Sequence, residues 1–238
     1  MLLYYIRHGT PTYHPDELTP LGHREAEALA HRLATFGIDK IYSSTSTRAM
    51  ETAQHTCELV QKEPVLLDFA NEKYAYQDFH AVSKDGKKGW AYLQDSYKRI
   101  FVSPEIRALG DRWLEHPAFE GTRFAIGMER VKRETDAWLS TLGYDYDISL
   151  GCYRPTAPTD ERVALFAHCG FGLAFLSAVL GIPYPLISTQ FTMRTTGMTV
   201  IEFADNGGYV IPRVLTFSND SHLYAEHIPT LYNKTHRF

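Results

Sequence analysis

The 238-residue chain has little of what marks several large protein classes. Cysteine is scarce: Cys57, Cys152 and Cys169 are odd in number and widely spaced. That argues against a disulfide framework and for a reducing compartment, so a cytoplasmic protein is expected. Long apolar runs are missing as well. The first run, "LLYYI" at 2–6, meets a charge at Arg7, and no basic segment precedes it. It is too short for a leader core or a membrane span, and a soluble protein with no membrane partner is expected. Basic excess is also lacking: 24 Lys and Arg stand against 28 Asp and Glu, a net charge of −4. No nucleic-acid partner is expected, and an anionic ligand must be attracted by local arginines. There are no repeats and no low-complexity tracts. A composition 44% hydrophobic and 22% charged suits a globular core and not disorder.

What is there is a rhythm of strands and helices. "LLYYI" is a β-rich run suited to a buried strand. Thr19 is a good N-cap and Pro20 fits the first helical position, with Ala26, Leu29, Ala30 and Leu33 on one face before Gly37. "KIYSS" (40–44) predicts a second strand, residues 46–61 a second amphipathic helix, and "PVLLD" (64–68) a third strand. The order β-α-β-α-β predicts a parallel sheet with helical crossovers. Residues 73–121 break the rhythm and predict a mostly helical insertion with a mobile loop at 83–89. Insertions of this length often act as lids. A long helix at about 122–141, a polar connection "YDYDISLGCYRPTAPTDE", the strand "RVALFAH" (162–168), the apolar helix 169–181 and a C-terminal β-hairpin complete the chain. The expected fold class is α/β, a three-layer α/β/α sandwich with a mostly parallel sheet. Residues 1–238 read as one domain, with the cap inserted at about 73–121.

In open α/β sheets, ligands bind at the carboxyl ends of strands. Arg7 and His8 stand at one such end, Arg48 just beyond another, Glu72 after a third, and His168 at a fourth. Two guanidiniums can grip a tetrahedral dianion. A neutral imidazole can attack phosphorus, a second can stabilise the equatorial oxygens, and a carboxylic acid can protonate the leaving oxygen. Phosphoryl transfer needs mostly positioning and electrostatics, which this set supplies. Arg48 in the first turn of a helix is badly placed for the helix dipole, so an anion partner is expected there.

The sequence resembles the histidine phosphatase superfamily, in its phosphoglycerate mutase-like branch. The resemblance rests on ordered segments: "YYIRHGTPTYH", "LTPLGHREAEALAHRL", "IYSSTSTRAMETA", "FANEKY", "LFAHCGFGLAFL" and "FSNDSHL". It implies His8 as the phosphorylated nucleophile, Arg7, Arg48 and His168 as the phosphoryl-binding groups, and Glu72 as the general acid. Gly170 would offer a backbone donor. Thr10, Thr19, Lys73 and Tyr74 would contact substrate, Thr10 standing where the family commonly has Glu or Gln. His14 stands where an Asn is usual. The mutases' arginine pair has no clear counterpart, the insertion offering Lys98-Arg99 in "SYKRIF".

Glu17, Asp68 and Asp78 compete with Glu72 for the role of acid, but only Glu72 directly follows a strand end. The histidines lack the tight spacing of zinc helices, so no metal and no cofactor are expected. Cys169 reads as a packing residue beside glycines. Lys84, Lys87 and Lys88 read as a solvated loop, and Lys98 and Arg99 as lid surface or substrate grip. Trp90, Tyr92, Tyr97 and Phe101 predict a partly apolar pocket for a leaving group larger than glycerate. The expected function is a metal-independent phosphatase acting on a small phosphorylated metabolite through phosphohistidine. The rivals are a phosphoglycerate mutase-type phosphotransferase and a non-catalytic phosphate-binding regulator.

Overall fold

The computed structural model describes residues 1–83 and 85–230. Strand β1 (Leu2–Arg7) leads into a small hairpin, β2 (Pro11–Tyr13) and β3 (Asp16–Leu18). Helix α1 (Pro20–Phe36), β4 (Lys40–Ser44), α2 (Thr47–Val60) and β5 (Val65–Leu67) follow. The inserted region holds α3 (Glu72–Phe79), a hairpin of β6 (His80–Val82) and β7 (Lys88–Trp90), α4 (Asp95–Phe101) and α5 (Pro104–Leu109). Then come α6 (Phe124–Thr141), the hairpin β8 (Tyr144–Asp147) and β9 (Cys152–Pro155), β10 (Arg162–Ala167), α7 (Cys169–Leu180) and α8 (Tyr184–Gln190). Strands β11 (Met198–Glu202) and β12 (Arg213–Asn219) and helix α9 (Ser221–Ala225) end the described fold.

The main sheet has the order β12-β11-β1-β10-β4-β5. Strands β1, β10, β4 and β5 run parallel, while β11 and β12 are antiparallel. Alternation along the strands makes two faces. Leu3, Tyr5, Val163 and Leu165 pack on one side with α7 and α6 residues such as Phe171, Phe175 and Val131. Ile6, Ala164 and Phe166 pack on the other with Leu29, Leu33, Ala53 and Cys57 of α1 and α2. This is the mostly parallel, helix-covered sheet that the sequence predicts. Helix α1 begins as expected: Thr19 accepts from Gly22 N, Pro20 occupies the first turn, and Gly37 ends it at φ 78°.

Two regions differ from expectation. The insertion is expected to be mostly helical, and it is, but it also contains the β6–β7 hairpin. The polar connection after α6 contains β8–β9. Each of these strands has three or four residues, too few for alternation to be read from sequence. Within the expected loop at 83–89, Ser83 Oγ donates to Lys87 O and accepts from Lys87 N, and Lys88 is already in β7. Lys84 lies outside the described residues.

The insertion is tied down by aromatics. Phe101 is fully buried and meets Phe119, Phe124 and Tyr184, while Tyr97 packs on Phe101 and Phe124. Of the four aromatics expected to form a pocket, Tyr97 and Phe101 are therefore core. Only Trp90 and Tyr92 line the cavity. Among the described residues, no helix is long and apolar enough to cross a membrane.

Candidate active site

Register explains how the distant segments meet. In the central parallel pair, Arg7 lies opposite Ala167, so the residues that follow, His8 and His168, leave the sheet side by side. Their rings are 5.2 Å apart. Strand β4 borders β10 on the other side and delivers Ser44, and α2 begins just beyond with Arg48. Glu72 opens α3, which Asn71 caps by accepting from Lys73 N. Arg7, His8, Arg48, Glu72, Lys73 and Gly170 all line one open cavity of about 1020 Å³, together with Trp90 and Tyr92 of the insertion.

His8 is 2% exposed. Its Nδ1–H donates to Gly9 O at 2.7 Å, because a carbonyl can only accept, and the lone pair is left on Nε2. Burial first, and Arg7 second, push its pKa down to about 3, so the ring is neutral near pH 7. The Gly9 N–H donates to Thr52 Oγ1 and the Thr196 N–H to His8 O, holding the loop from both sides.

The two arginines are fastened at one end and free at another. Arg7 Nη1 donates to Met193 O, and Arg48 Nη1 donates to Asp16 Oδ1, both at 2.6 Å. Asp16 also accepts from Thr47 N. It supplies the anion that Arg48 needs at the start of α2, from the β2–β3 hairpin, which carries no signal in the sequence. Arg7 Nε and Arg48 Nε are buried with no hydrogen-bond partner.

His168 is fully buried. Burial, then His8, Arg48 and Arg7, hold its pKa well below the usual histidine range. Its Nε2 meets Ser44 Oγ at 2.8 Å and Ser46 Oγ at 3.2 Å. Its Nδ1 stands 3.1 Å from both Arg48 Nη2 and Glu72 Oε2. A guanidinium can only donate, so Nδ1 accepts there and the Nε2–H faces Ser44. The close approach to Glu72 Oε2 then calls for a proton on the carboxyl. Glu72 fits that need: burial raises its pKa to about 7 against the opposing pull of Arg48. Its Oε1 accepts from Phe171 N at 3.2 Å. The two serines belong to the "SSTS" run, which the sequence marks only as a strand end.

Other expected contacts lie elsewhere. Thr10 turns inward: its N–H and hydroxyl donate to the buried Glu25 carboxylate at 2.7 and 2.9 Å. Thr19 spends its hydroxyl on Thr10 O and on capping α1. Tyr74 donates to Asp68 Oδ2, an exposed carboxylate beside Lys73 that does not line the cavity. None of Thr10, Thr19 and Tyr74 lines the cavity. Asp78 is buried between Arg123 and Arg130. Lys98 pairs with Asp95, and Arg99 lines a separate depression with Ser83 and Gln94. His14 and Cys169 do line the cavity.

Among the described residues, His8, Glu72 and His168 are the trio whose donor atoms lie close enough, within 4.8 Å, to surround a cation. Arg7 and Arg48 share that space, and their charge favours an anion there instead. The site can therefore seat a tetrahedral anion against a neutral imidazole nitrogen, with a protonated carboxyl alongside.

Residues 3–90 match the family model of the histidine phosphatase superfamily (branch 1). The chain is 23% identical over 189 residues to "Putative phosphoserine phosphatase 2" of Hydrogenobacter thermophilus, covering 76% of this chain and 79% of that relative. Its fold is similar to a phosphoserine phosphatase from Entamoeba histolytica solved with 3-phosphoglyceric acid (TM-score 0.60, 18% identity, 93% of this chain and 98% of that one). It is also similar to a mycobacterial glucosyl-3-phosphoglycerate phosphatase solved with VO3 (TM-score 0.58, 20% identity, 91% and 98%). The segment that matches this family model carries Arg7, His8, Arg48 and Glu72, and the fold is similar to that of these phosphatases.

Proposed function

We propose that this phosphatase hydrolyses a small phosphomonoester, without a metal, through a phosphohistidine at His8. The observation that carries the reading is the convergence of the Arg7 and Arg48 guanidiniums, the neutral ring of His8 and Glu72 on one cavity. The guanidiniums would hold the phosphoryl oxygens. His8 Nε2 would attack phosphorus in line while its Nδ1–H stays on Gly9 O. The P–O bond breaks as the Nε2–P bond forms, and the Glu72 proton passes to the leaving alkoxide. Glu72, now a carboxylate, takes a proton from water as that water attacks phosphorus. The P–N bond breaks, phosphate leaves, and neutral His8 and protonated Glu72 are restored. His168 would brace the phosphoryl oxygens; a bound dianion offsets the arginine charges that now disfavour its protonation.

The relatives named above are described as phosphatases of phosphoserine and of glucosyl-3-phosphoglycerate. That supports hydrolysis of a small phosphorylated metabolite. So does the position of Lys98 and Arg99, which lie away from the cavity and offer no grip on a glycerate carboxylate. Trp90 and Tyr92 on the cavity wall support a leaving group larger than glycerate. The test is phosphate release from a panel of phosphorylated metabolites without metal, with His8→Ala as control. Release that the variant abolishes supports the reading. Release that survives in His8→Ala refutes it. A stable phosphohistidine formed from a bisphosphoglycerate without release would favour the mutase-type reading.

A further inference from the structure

The β6–β7 hairpin does more than cover the cavity. Its last residue, Trp90, lies opposite His80, and Gln94 Nε2 staples the hairpin by donating to Ala81 O at 2.6 Å. The indole meets Tyr76 of α3 edge-on at 5.2 Å and Tyr92 at 5.6 Å. Its far edge reaches the first turn of α7. A Cβ built on Gly170 would lie 2.3 Å from Trp90 Cη2 and 2.6 Å from Glu72 Oε1. Indole edge and carboxyl oxygen therefore face one another across a residue with no side chain, an approach only glycine permits.

We infer that Trp90 is a positioning residue for Glu72, closing the solvent side of the carboxyl so that its proton stays in place until the leaving oxygen arrives. The inference rests on the reading of Glu72 as general acid. The polar groups around Glu72 nearly all favour its ionised form. Arg48 of α2 stands 3.9 Å away and Arg7 of β1 adds a second positive charge. The Phe171 and Gly170 N–H groups of α7 face the carboxyl, and the neutral rings of His8 and His168 complete the inner side. The hydroxyls of Tyr5, Tyr92 and Tyr184 carry no charge near pH 7. Besides the His168 Nδ1 lone pair beside Oε2, what holds the proton is exclusion of water, which penalises the carboxylate. On the cavity side that exclusion comes from the Trp90 ring. The insertion thus reaches the chemistry through one apolar edge and not through a charge.

The test compares pH profiles of kcat for the wild type, Trp90→Ala, Trp90→Phe and Glu72→Gln. Each is measured on an alkyl phosphate and on p-nitrophenyl phosphate, whose phenolate leaves without needing a proton. In Trp90→Ala the alkaline limb for the alkyl ester is expected to move about one pH unit toward acid. Trp90→Phe, which keeps a smaller ring, is expected to move it part of the way. The aryl ester is expected to show no such shift. An unmoved limb in Trp90→Ala, with the limb abolished in Glu72→Gln, overturns the role of Trp90 alone and makes it a substrate-contacting wall. A limb that survives in Glu72→Gln overturns Glu72 as the acid, and the inference with it.

Discussion

The floor of the cavity comes from the ends of sheet strands, whereas its outer wall comes from short elements between β5 and α6. His8, Arg48 and His168 are held by parallel register and by a first helical turn, and each is buried. Their partners are backbone carbonyls, serines and Asp16 at 3.2 Å or less. Trp90, Tyr76 and Tyr92 are held mainly by ring contacts and by one glutamine staple, and Leu93 beside them is 59% exposed. A floor fixed by strand register and short hydrogen bonds keeps these groups in one geometry. A wall fixed by side-chain packing can change its leaving group without disturbing the seat below, except where Trp90 reaches Glu72. Substitutions in the two regions should therefore fail in different ways.

The largest effect belongs to the floor. Arg48 bonds Asp16 and His168, approaches Glu72 and lines the cavity, so its loss should disturb binding and geometry together. Arg48→Ala is expected to lower kcat/KM by about 10³-fold. Arg48→Lys should recover little, since an ammonium cannot span Asp16 and the ligand at once. A loss below about tenfold would mean that the floor is not the phosphoryl seat.

Within the insertion, aromatics that look equivalent in sequence divide sharply. Phe101→Ala is expected to destabilise the fold by roughly 3–5 kcal/mol, read as a drop in denaturant midpoint, because it empties a fully buried site among Phe119, Phe124 and Tyr184. Its KM should stay near the wild-type value at temperatures where the variant is folded. Trp90→Ala should show the reverse: little loss of stability and a KM raised several-fold for a bulky ester. Equal kinetic effects at both positions would erase the division between core and wall.

That division was only half legible in the sequence. Strands β1 and β10 and helices α1, α2 and α7 were readable because each carries enough residues for a period to show, with caps such as Thr19 and Gly37 at the ends. The hairpins β6–β7 and β8–β9 were not, since three or four residues hold no pattern. At the site, Arg7, His8, Arg48, Glu72 and His168 were readable because strand ends announce where side chains leave the sheet. Asp16 was hidden because it meets Arg48 only through the fold, from 32 residues away. Thr10, Thr19 and Tyr74 illustrate the opposite error. Each sits close to the site in sequence, but a hydroxyl goes to the nearest unsatisfied partner, here Glu25, the end of α1 and Asp68. Side-chain direction of that kind is not written in spacing.

The pH profile separates floor from wall more finely. Glu72, raised to about 7, must be protonated to act as acid, so kcat for an alkyl ester should fall about tenfold per pH unit above that value. His8 is held down at about 3, so its ring stays neutral through mildly acidic pH and, as the proposed nucleophile, should add no acid limb above that value. Stability runs the other way. His8 and His222 both have folded values of about 3, far below the unfolded value near 6.5. The unfolded chain binds more protons between those values, so melting temperature should fall as pH drops from about 6.5 toward 3. Glu72 adds a smaller opposite slope, stabilising below about 4.5 and losing that contribution as pH rises through about 7. A melting temperature flat across the acid range would mean that these imidazoles are not held neutral by burial.

The smallest expected effect is also the one that guards the choice between hydrolysis and transfer. Lys98 reaches Asp95 at 3.5 Å, but the Asp95 side chain is 91% exposed, so the pair is a solvated surface contact. Lys98→Ala should change stability by no more than about 0.5 kcal/mol. Arg99 lines a depression with Ser83 and Gln94, not the catalytic cavity, so Arg99→Ala should leave kcat and KM within about twofold for any ester. The informative substrate is one whose leaving group carries a carboxylate. If Arg99→Ala raised KM tenfold for that ester and not for a neutral one, Arg99 would have to swing from its depression to the substrate. The insertion would then close as a cap, water would be shut out of the phosphohistidine, and transfer between bound phosphoglycerates would become the better account of the same floor.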